Sequence, residues 1–165
     1  MRKFCFFLLV IFSMNACRDE TSKNVGAQDS GWAVELSNLP KPAVINAKAA
    51  SILSEWVEYR GFETSFNSMY RAEFREDFIL TIEDLVEKQK TWEASVYPST
   101  FDIPQVKGRQ KVLKTFILQT KADLEYRQNP EESIKEMVGA FNALRKQFNV
   151  TVNNILPEDL LSDEN

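Results

Sequence analysis

The chain has 165 residues, a net charge of −4 and no histidine, with 44% hydrophobic and 27% charged residues. This length and composition fit one globular domain with its own hydrophobic core, and the acidic balance excludes typical nucleic-acid binders, because contact with phosphates needs an excess of Lys and Arg. Since Ser-His-Asp and Cys-His catalysis need histidine, and zinc sites need His or Cys ligands, we expect neither an enzyme nor a metal- or cofactor-binding protein.

Residues 1–16 have the layout of a cleaved export signal. Arg2 and Lys3 precede an unbroken apolar run from Phe4 to Phe12, and small or polar residues follow before Cys17. As a helix this stretch would extend only about 16 Å, against about 30 Å for a hydrocarbon core. The pattern therefore favours cleavage over a membrane-spanning helix. Cleavage would remove one of the two cysteines and both basic residues, which takes the net charge from −4 to −6.

The four residues Met14-Asn15-Ala16-Cys17 resemble the lipobox of bacterial lipoproteins. In that family the cysteine becomes the first residue of the mature protein and carries acyl chains such as palmitate, so the resemblance implies lipidation of Cys17. Several acyl chains attach a protein stably to a bilayer, whereas one chain attaches it weakly. The alternative is ordinary cleavage beside an incidental cysteine.

The three residues Arg18-Asp19-Glu20 follow directly and resemble the short acidic signal of some Bacteroidetes lipoproteins. That signal sends a lipoprotein to the outer face of the outer membrane. The resemblance implies an outer-membrane lipoprotein displayed on the cell surface, with the periplasmic face as the alternative.

Residues 17–42 are predicted to form a lipidated, flexible tether, because they lack sustained periodicity and are rich in polar residues, Gly and Pro. A flexible chain of this length spans about 25–30 Å. In the alternative, the apolar side chains of this segment fold back on the domain, and these are Trp32, Val34, Leu36 and Leu39.

From Ala43 onward, apolar residues recur every three or four positions as far as Trp92, which places them on one helical stripe. Weak helix formers concentrated at Gly61–Ser68 predict a break in this stretch. Pro98 and Pro104 interrupt the pattern, and Pro104 suits the first turn of the next helix.

The sequence Asn129-Pro130-Glu131-Glu132 predicts the start of the last helix, because Asn caps helices and Pro favours their first position. We expect that helix to end at Pro157, with an acidic tail over residues 158–165. No strand pattern exceeds a few residues. The predicted fold is all-α, an up-and-down bundle of three or four helices over residues 43–157.

Seven aromatic residues share the first stripe, and this spacing predicts a packed core. The alternative is a cavity for an apolar or sugar ligand. The residues are Trp56, Tyr59, Phe62, Phe66, Tyr70, Phe74 and Phe78.

Four carboxylates lie close together in sequence on the second helical stretch: Glu73, Asp77, Asp84 and Glu87. Paired carboxylates can act as acid and base or bind a hard cation. A solvated helix face accounts for them more simply, and we assign them no site.

Four basic residues open the helix after the proline-containing turn: Lys107, Arg109, Lys111 and Lys114. The simplest interpretation is pairing with the preceding acidic face. The functional interpretation is docking of an acidic partner or a polyanionic glycan. Trp92 and Tyr97 lie near the same turn and are predicted partner contacts, because aromatic residues and Arg dominate interface hot spots.

The lipobox-like start, the polar tether, the Trp-rich helices and the run from Phe101 to Thr115 together resemble small helical lipoproteins of the Flavobacteria. The resemblance implies a helical fold at the cell envelope and implies no reaction. We therefore predict a membrane-anchored, non-enzymatic binding module whose partner is an envelope protein or glycan, held around Trp92–Lys114. The alternative is a helical-bundle lipoprotein that binds a small ligand in an apolar, aromatic-lined cavity.

Overall fold

A computed structural model describes residues 38–154 of the chain. The predicted export signal, Cys17, most of the predicted tether and the acidic tail lie outside the described residues. The described part is all-α, with two short 3₁₀ turns at Met69–Arg71 and Ser99–Phe101. Its five α-helices are α1 (Ala47–Glu55), α2 (Val57–Ser68), α3 (Arg75–Glu93), α4 (Pro104–Glu125) and α5 (Glu131–Asn153).

Helices α2 to α5 form the predicted up-and-down bundle, in which consecutive helices run antiparallel. Phe62 in the middle of α2 packs on Trp92 at the end of α3, with ring centroids 5.0 Å apart. Ser65, one turn later in α2, donates a hydrogen bond to Asp84, about two turns earlier in α3. The short helix α1 precedes the bundle and packs on α2 and α5.

The helix starts follow the expected local chemistry. The Asn46 side chain accepts the backbone N–H of Ala49 at 2.8 Å and caps α1. Helix α4 begins with Pro104 in its first turn, which confirms the prediction from the sequence. Asn129 Oδ1 accepts the backbone N–H of Glu131 at 3.0 Å at the start of α5, but this helix begins at Glu131, one residue later than predicted, so Pro130 precedes it instead of occupying its first position.

The predicted break falls at the end of Gly61–Ser68 and not within it. This stretch forms the second half of α2, which ends at Ser68, and another interruption, which was not predicted, lies at Trp56. Trp56 adopts an extended backbone between α1 and α2, and its buried indole determines that conformation more strongly than local helix propensity does.

The aromatic stripe is the centre of the core, as predicted, with one exception. Buried rings contact one another directly, and the centroids of Tyr59 and Trp92 lie 5.3 Å apart. Because such contacts continue to Phe141 and Phe148 on α5, side chains fill the space between the helices at this level. Phe74 is 64% exposed, since it precedes α3 in extended conformation and is out of phase with the stripe.

Residues 38–46 form the entry segment, whose residues 39–46 have no helical structure and run along one face of α5. Asn142 accepts the backbone N–H of Ala43 and donates to the carbonyl of Lys41 at 3.2 Å. Tyr70 donates to the carbonyl of Pro40 at 2.8 Å. Leu39 is buried, so the described end of the predicted tether lies on the bundle, while Trp32, Val34 and Leu36 lie outside the described residues.

Candidate binding cleft

The turn between α3 and α4 is fastened to the bundle at both ends. Trp56 Nε1 donates to Ser95 Oγ at 2.9 Å, and Ser95 Oγ donates to the Trp92 carbonyl at 2.8 Å. At the far end, Phe101 is fully buried with its ring 4.7 Å from that of Phe148. The residues between Ser95 and Phe101 are therefore held in a fixed position at the surface of the bundle.

Tyr97 stands half-buried at the middle of the turn. Its ring packs on Trp56 at a centroid distance of 4.8 Å, and its hydroxyl donates to Gln110 Oε1 on α4. Burial raises the pKa of Tyr97 above its ordinary value, and the hydrogen bond to Gln110 opposes this rise. The phenol is therefore a neutral hydrogen-bond donor at physiological pH.

A depression of about 420 Å³, here called the polar cleft, opens between this turn and the first turns of α4. Charged and polar side chains dominate its walls. Its lining residues are Glu93, Ser95, Val96, Tyr97, Asp102, Lys107, Gln110 and Lys111.

Both acidic residues of the polar cleft are already paired. Lys107 forms an ion pair with Asp102 and stands over the Tyr97 ring, 5.1 Å from its centroid. Lys114 of α4 pairs with Glu93 at 2.5 Å. Lys111 forms no ion pair with any other residue in the described range. The cleft is therefore lined by two acids and two lysines, and Lys111 is the lining lysine without an ion pair among the described residues.

Gln110 contributes a second unsatisfied donor to the polar cleft. Its side chain is 2% exposed, and Oε1 is used by Tyr97, while Nε2 is buried without a hydrogen-bond partner among residues 38–154. Leaving a buried amide donor unpaired costs about 1–3 kcal/mol.

A second depression of about 510 Å³, here called the apolar groove, adjoins the first. The two share Val96 and Tyr97 as a common wall, and Val96 is 91% exposed. The remaining lining is mainly apolar with two acidic residues, and consists of Ser51, Ile52, Glu55, Trp56, Val57, Glu58 and Pro98.

The structure brings together only some of the residues predicted to bind a partner. Tyr97, Lys107 and Lys111 line the polar cleft. Lys114 forms an ion pair with Glu93, another lining residue. Arg109 instead donates to Gln147 of α5 at 3.1 Å and lies outside it.

The prediction of Trp92 as a surface contact is wrong, because this side chain is completely buried. Trp92 continues the apolar stripe of α3, in which Ile82, Leu85 and Gln89 are also buried. Its indole therefore packs in the core.

The expected pairing of the basic residues with preceding acidic residues is found in part, because Lys107 pairs with Asp102 and Lys114 with Glu93 at the end of α3, but the four carboxylates named from the sequence do not take part. Asp84 accepts from Ser65 at 2.5 Å, and Glu87 pairs with Lys90 at 2.7 Å. Glu73 and Asp77 are exposed. Across the part of the chain that the structure describes, no group of three or more acidic or cysteine side chains is arranged to hold a metal ion.

Sequence reasoning missed Gln110 and the apolar groove. Gln110 occupies the apolar stripe of α4, between the buried Val106 and Leu113, and a long polar side chain on such a stripe was a usable signal. The apolar groove had no such signal in the sequence. It forms where Trp56, between α1 and α2, lies beside Val96 and Pro98 of the turn between α3 and α4.

The chain matches no protein-family model, and neither the curated proteins nor the solved structures contain a significant match to it. Among the helices of residues 38–154, none has the length and apolar character needed to cross a membrane.

Proposed function

We propose that the protein is a non-enzymatic binding module of the cell envelope, anchored through acyl chains on Cys17 and displayed from the outer membrane. The polar cleft and the apolar groove are its partner-binding surface. The proposal follows from the lipobox-like sequence together with the position of this surface on the bundle.

The observation that carries the proposal is the separation between the surface and the point where the chain enters the bundle. The polar cleft includes Glu93 at the C-terminal end of α3. The entry segment is bound by Tyr70, within the 3₁₀ turn that precedes α3 and contacts its start. Helix α3 has 19 residues, which corresponds to about 28 Å.

The separation of the binding surface from the entry point suits a receptor that is held to a membrane by a tether. An anchor attached through the entry segment would leave the domain near the N-terminal end of α3 and leave the opposite end facing away from the bilayer. Exposed Val96, half-buried Tyr97 and unpaired Lys111 all lie at that distal end. The cleft therefore lies at the end of the bundle farther from its attachment point, where a partner can reach it.

Site-specific photo-crosslinking in intact cells tests the proposal. The photoreactive residue p-benzoylphenylalanine is placed at Val96 and, as a control, at the also exposed Tyr126, which follows α4 at the proximal end. We expect a discrete adduct from Val96 that is lost in the Lys111→Glu variant, and none from Tyr126. Equal adducts from both positions, or none from Val96, would contradict the proposal. Mass spectrometry of the native amino terminus tests the acylation of Cys17 in parallel.

A further inference from the structure

The two most exposed aromatic side chains of the described residues lie at the end of the bundle where the chain enters, here called the proximal end. Phe74 is 64% exposed and directly precedes α3, and Tyr126 is 76% exposed and directly follows α4. Every other aromatic side chain within residues 38–154 is buried or partly buried. These two rings therefore present apolar surface to water at the proximal end.

A hydrogen bond joins the two segments that carry these rings. Arg75, directly after Phe74, donates from its guanidinium to the carbonyl of Leu124 at 2.7 Å, and Leu124 lies two residues before Tyr126. Tyr70, four residues before Phe74, binds the entry segment at Pro40. Both rings and the point where the chain enters therefore share one end of the bundle.

The chain that precedes the described residues connects this end to the proposed anchor. Residues 18–37 separate Cys17 from the first described residue. A flexible chain of this length spans about 22–27 Å. Acyl chains on Cys17 would therefore keep the proximal end close to a bilayer, and the two rings would be the exposed aromatic groups nearest to it.

A weak contact is sufficient for a domain that is already tethered. Aromatic rings suit the boundary between water and lipid, and complete burial of one such side chain contributes about 1.5–3 kcal/mol. Two partly exposed rings would bind a free protein to a bilayer only weakly. A tether replaces the encounter from solution by a high effective concentration, so the same contact can orient the domain.

The charges around the rings indicate the kind of lipid. Acids outnumber arginines in residues 71–77 and 123–127, so an anionic surface would repel this end. A zwitterionic head group has no net charge and offers a phosphate, which is an acceptor that arginine binds well. The charged residues are Glu73, Glu76, Asp77, Asp123, Glu125, Arg71, Arg75 and Arg127.

We infer that the proximal end is a second membrane contact, at which Phe74 and Tyr126 enter the interface of a zwitterionic phospholipid bilayer. This contact orients the tethered domain so that the polar cleft lies on the side away from the lipid. The inference rests on the anchoring in the proposed function and adds a contact made by the folded domain itself.

Fluorescence quenching by lipids that carry a spin label near the head group tests the inference. The acylated full chain is placed in vesicles of phosphatidylcholine and phosphatidylethanolamine, with the fluorophore NBD on Gln128→Cys at the proximal end or on Val96→Cys at the distal end. The introduced cysteine is the only free thiol, because cleavage removes Cys5 and acylation occupies Cys17. We expect quenching at position 128 and none at position 96, which is 91% exposed in the wild-type chain.

Two matched substitutions test the contribution of the ring. Phe74 and Leu80 are both 64% exposed, and Leu80 lies on α3 away from its start. We expect Phe74→Glu to abolish the quenching at position 128 and Leu80→Glu to leave it unchanged, while circular dichroism shows the same helix content for both. Phosphatidylglycerol added to the vesicles is expected to reduce the quenching, because it makes the surface anionic.

Equal quenching at both positions, or quenching that survives Phe74→Glu combined with Tyr126→Glu, would overturn the inference. Protection of position 128 from iodide without vesicles would also overturn it, because another part of the protein would then cover the rings. A vesicle-bound protein without quenching would overturn the inference and leave the anchoring intact. An unacylated native chain would overturn the anchoring alone, and residues 18–165 held by an amino-terminal histidine tag on nickel-chelating lipid then give the same quenching comparison.

Discussion

Asn149 on α5 binds Asn46 of the entry segment by accepting its backbone N–H at 2.9 Å, across 103 positions of sequence. The same side chain donates to the carbonyl of Val44 at 2.8 Å. Asn142 repeats this two-sided contact at Ala43 and Lys41. Each side-chain amide therefore accepts from and donates to the main chain, as the backbone of a neighbouring β-strand would. In this way two turns of α5 hold the entry segment, which has no regular secondary structure between residues 41 and 46.

The first prediction concerns this asparagine pair. Replacing both Asn142 and Asn149 by Ala removes four hydrogen bonds, each with a net worth of about 0.5–1.5 kcal/mol. We expect amide hydrogen exchange at Ala43 and Asn46 to accelerate strongly while exchange in the core of α3 changes little. The control Asn67→Ala alters an exposed asparagine on α2 and leaves both amides protected. Unchanged protection in the double variant would show that the segment is held by other contacts.

The second prediction concerns the ion pair between Arg145 and Glu63. The Arg145 side chain is 12% exposed, and its Nε also donates to the Ala43 carbonyl at 2.5 Å. We expect Arg145→Met to lower the free energy of unfolding by about 2–4 kcal/mol, because it leaves a partly buried carboxylate without its cation and the Ala43 carbonyl without the donor that Arg145 supplies.

A double-mutant cycle with Glu63→Gln separates the pair from its surroundings. We expect a coupling energy of about 1–3 kcal/mol in chemical denaturation. The exposed pair Lys135–Glu131 on α5 is the reference cycle, and its coupling is expected to be close to zero. Equal coupling in the two cycles would mean that burial adds nothing at Arg145.

The third prediction concerns pH. Burial, together with the adjacent Glu63 carboxylate, raises the pKa of Tyr59 far above the ordinary phenol value of 10.0. The native state keeps this proton at a pH where the unfolded chain loses it, so the contribution is complete below about pH 10 and declines as pH rises above that value. We expect the Tyr59→Phe variant to lose up to about 1.4 kcal/mol per pH unit of that alkaline slope. Urea unfolding at several pH values between about 8 and 11 measures it; identical slopes would contradict the assignment.

The fourth prediction concerns Gln89 on α3, which is 1% exposed and has both side-chain polar atoms unpaired within the described residues. Methionine has the same unbranched shape without the amide. We expect Gln89→Met to raise the free energy of unfolding by about 1–3 kcal/mol, seen as a higher midpoint in thermal denaturation. Gln119→Met on the exposed face of α4 is the control and changes the midpoint little. A lower midpoint for Gln89→Met would mean that this amide has a partner.

The fold was predictable because its signals are local. Pro104 and Asn129 mark helix starts through backbone chemistry that operates within one turn, and the spacing of apolar residues places Phe62 and Trp92 on buried faces. Phe74 was assigned to the core because its spacing fits the stripe. The structure shows that α3 begins only at Arg75, one residue after Phe74. Phe74 therefore lies outside the helix, and its side chain does not follow the helical spacing of the stripe.

The binding surface was predictable only in part because its two halves come from distant parts of the chain. Lys107 and Lys111 attract attention as a charge cluster, but which basic residue is left unpaired depends on where Asp102 and Glu93 fall in space. Arg109 differs from its neighbours because its helix position faces Gln147. Such distinctions require knowledge of the tertiary packing, which residue type and spacing do not contain.

The bonds that join the entry segment to α5 have a mechanical consequence. Positions 41 to 46 and their partners 142 to 153 run in the same direction, so tension applied at residue 38 pulls along the row of bonds. Such a load stretches the bonds together in shear, whereas a perpendicular load would open them one after another. If the domain were held by its amino-terminal side, a pulling force would therefore load these hydrogen bonds first. The aromatic core would be strained only after they broke.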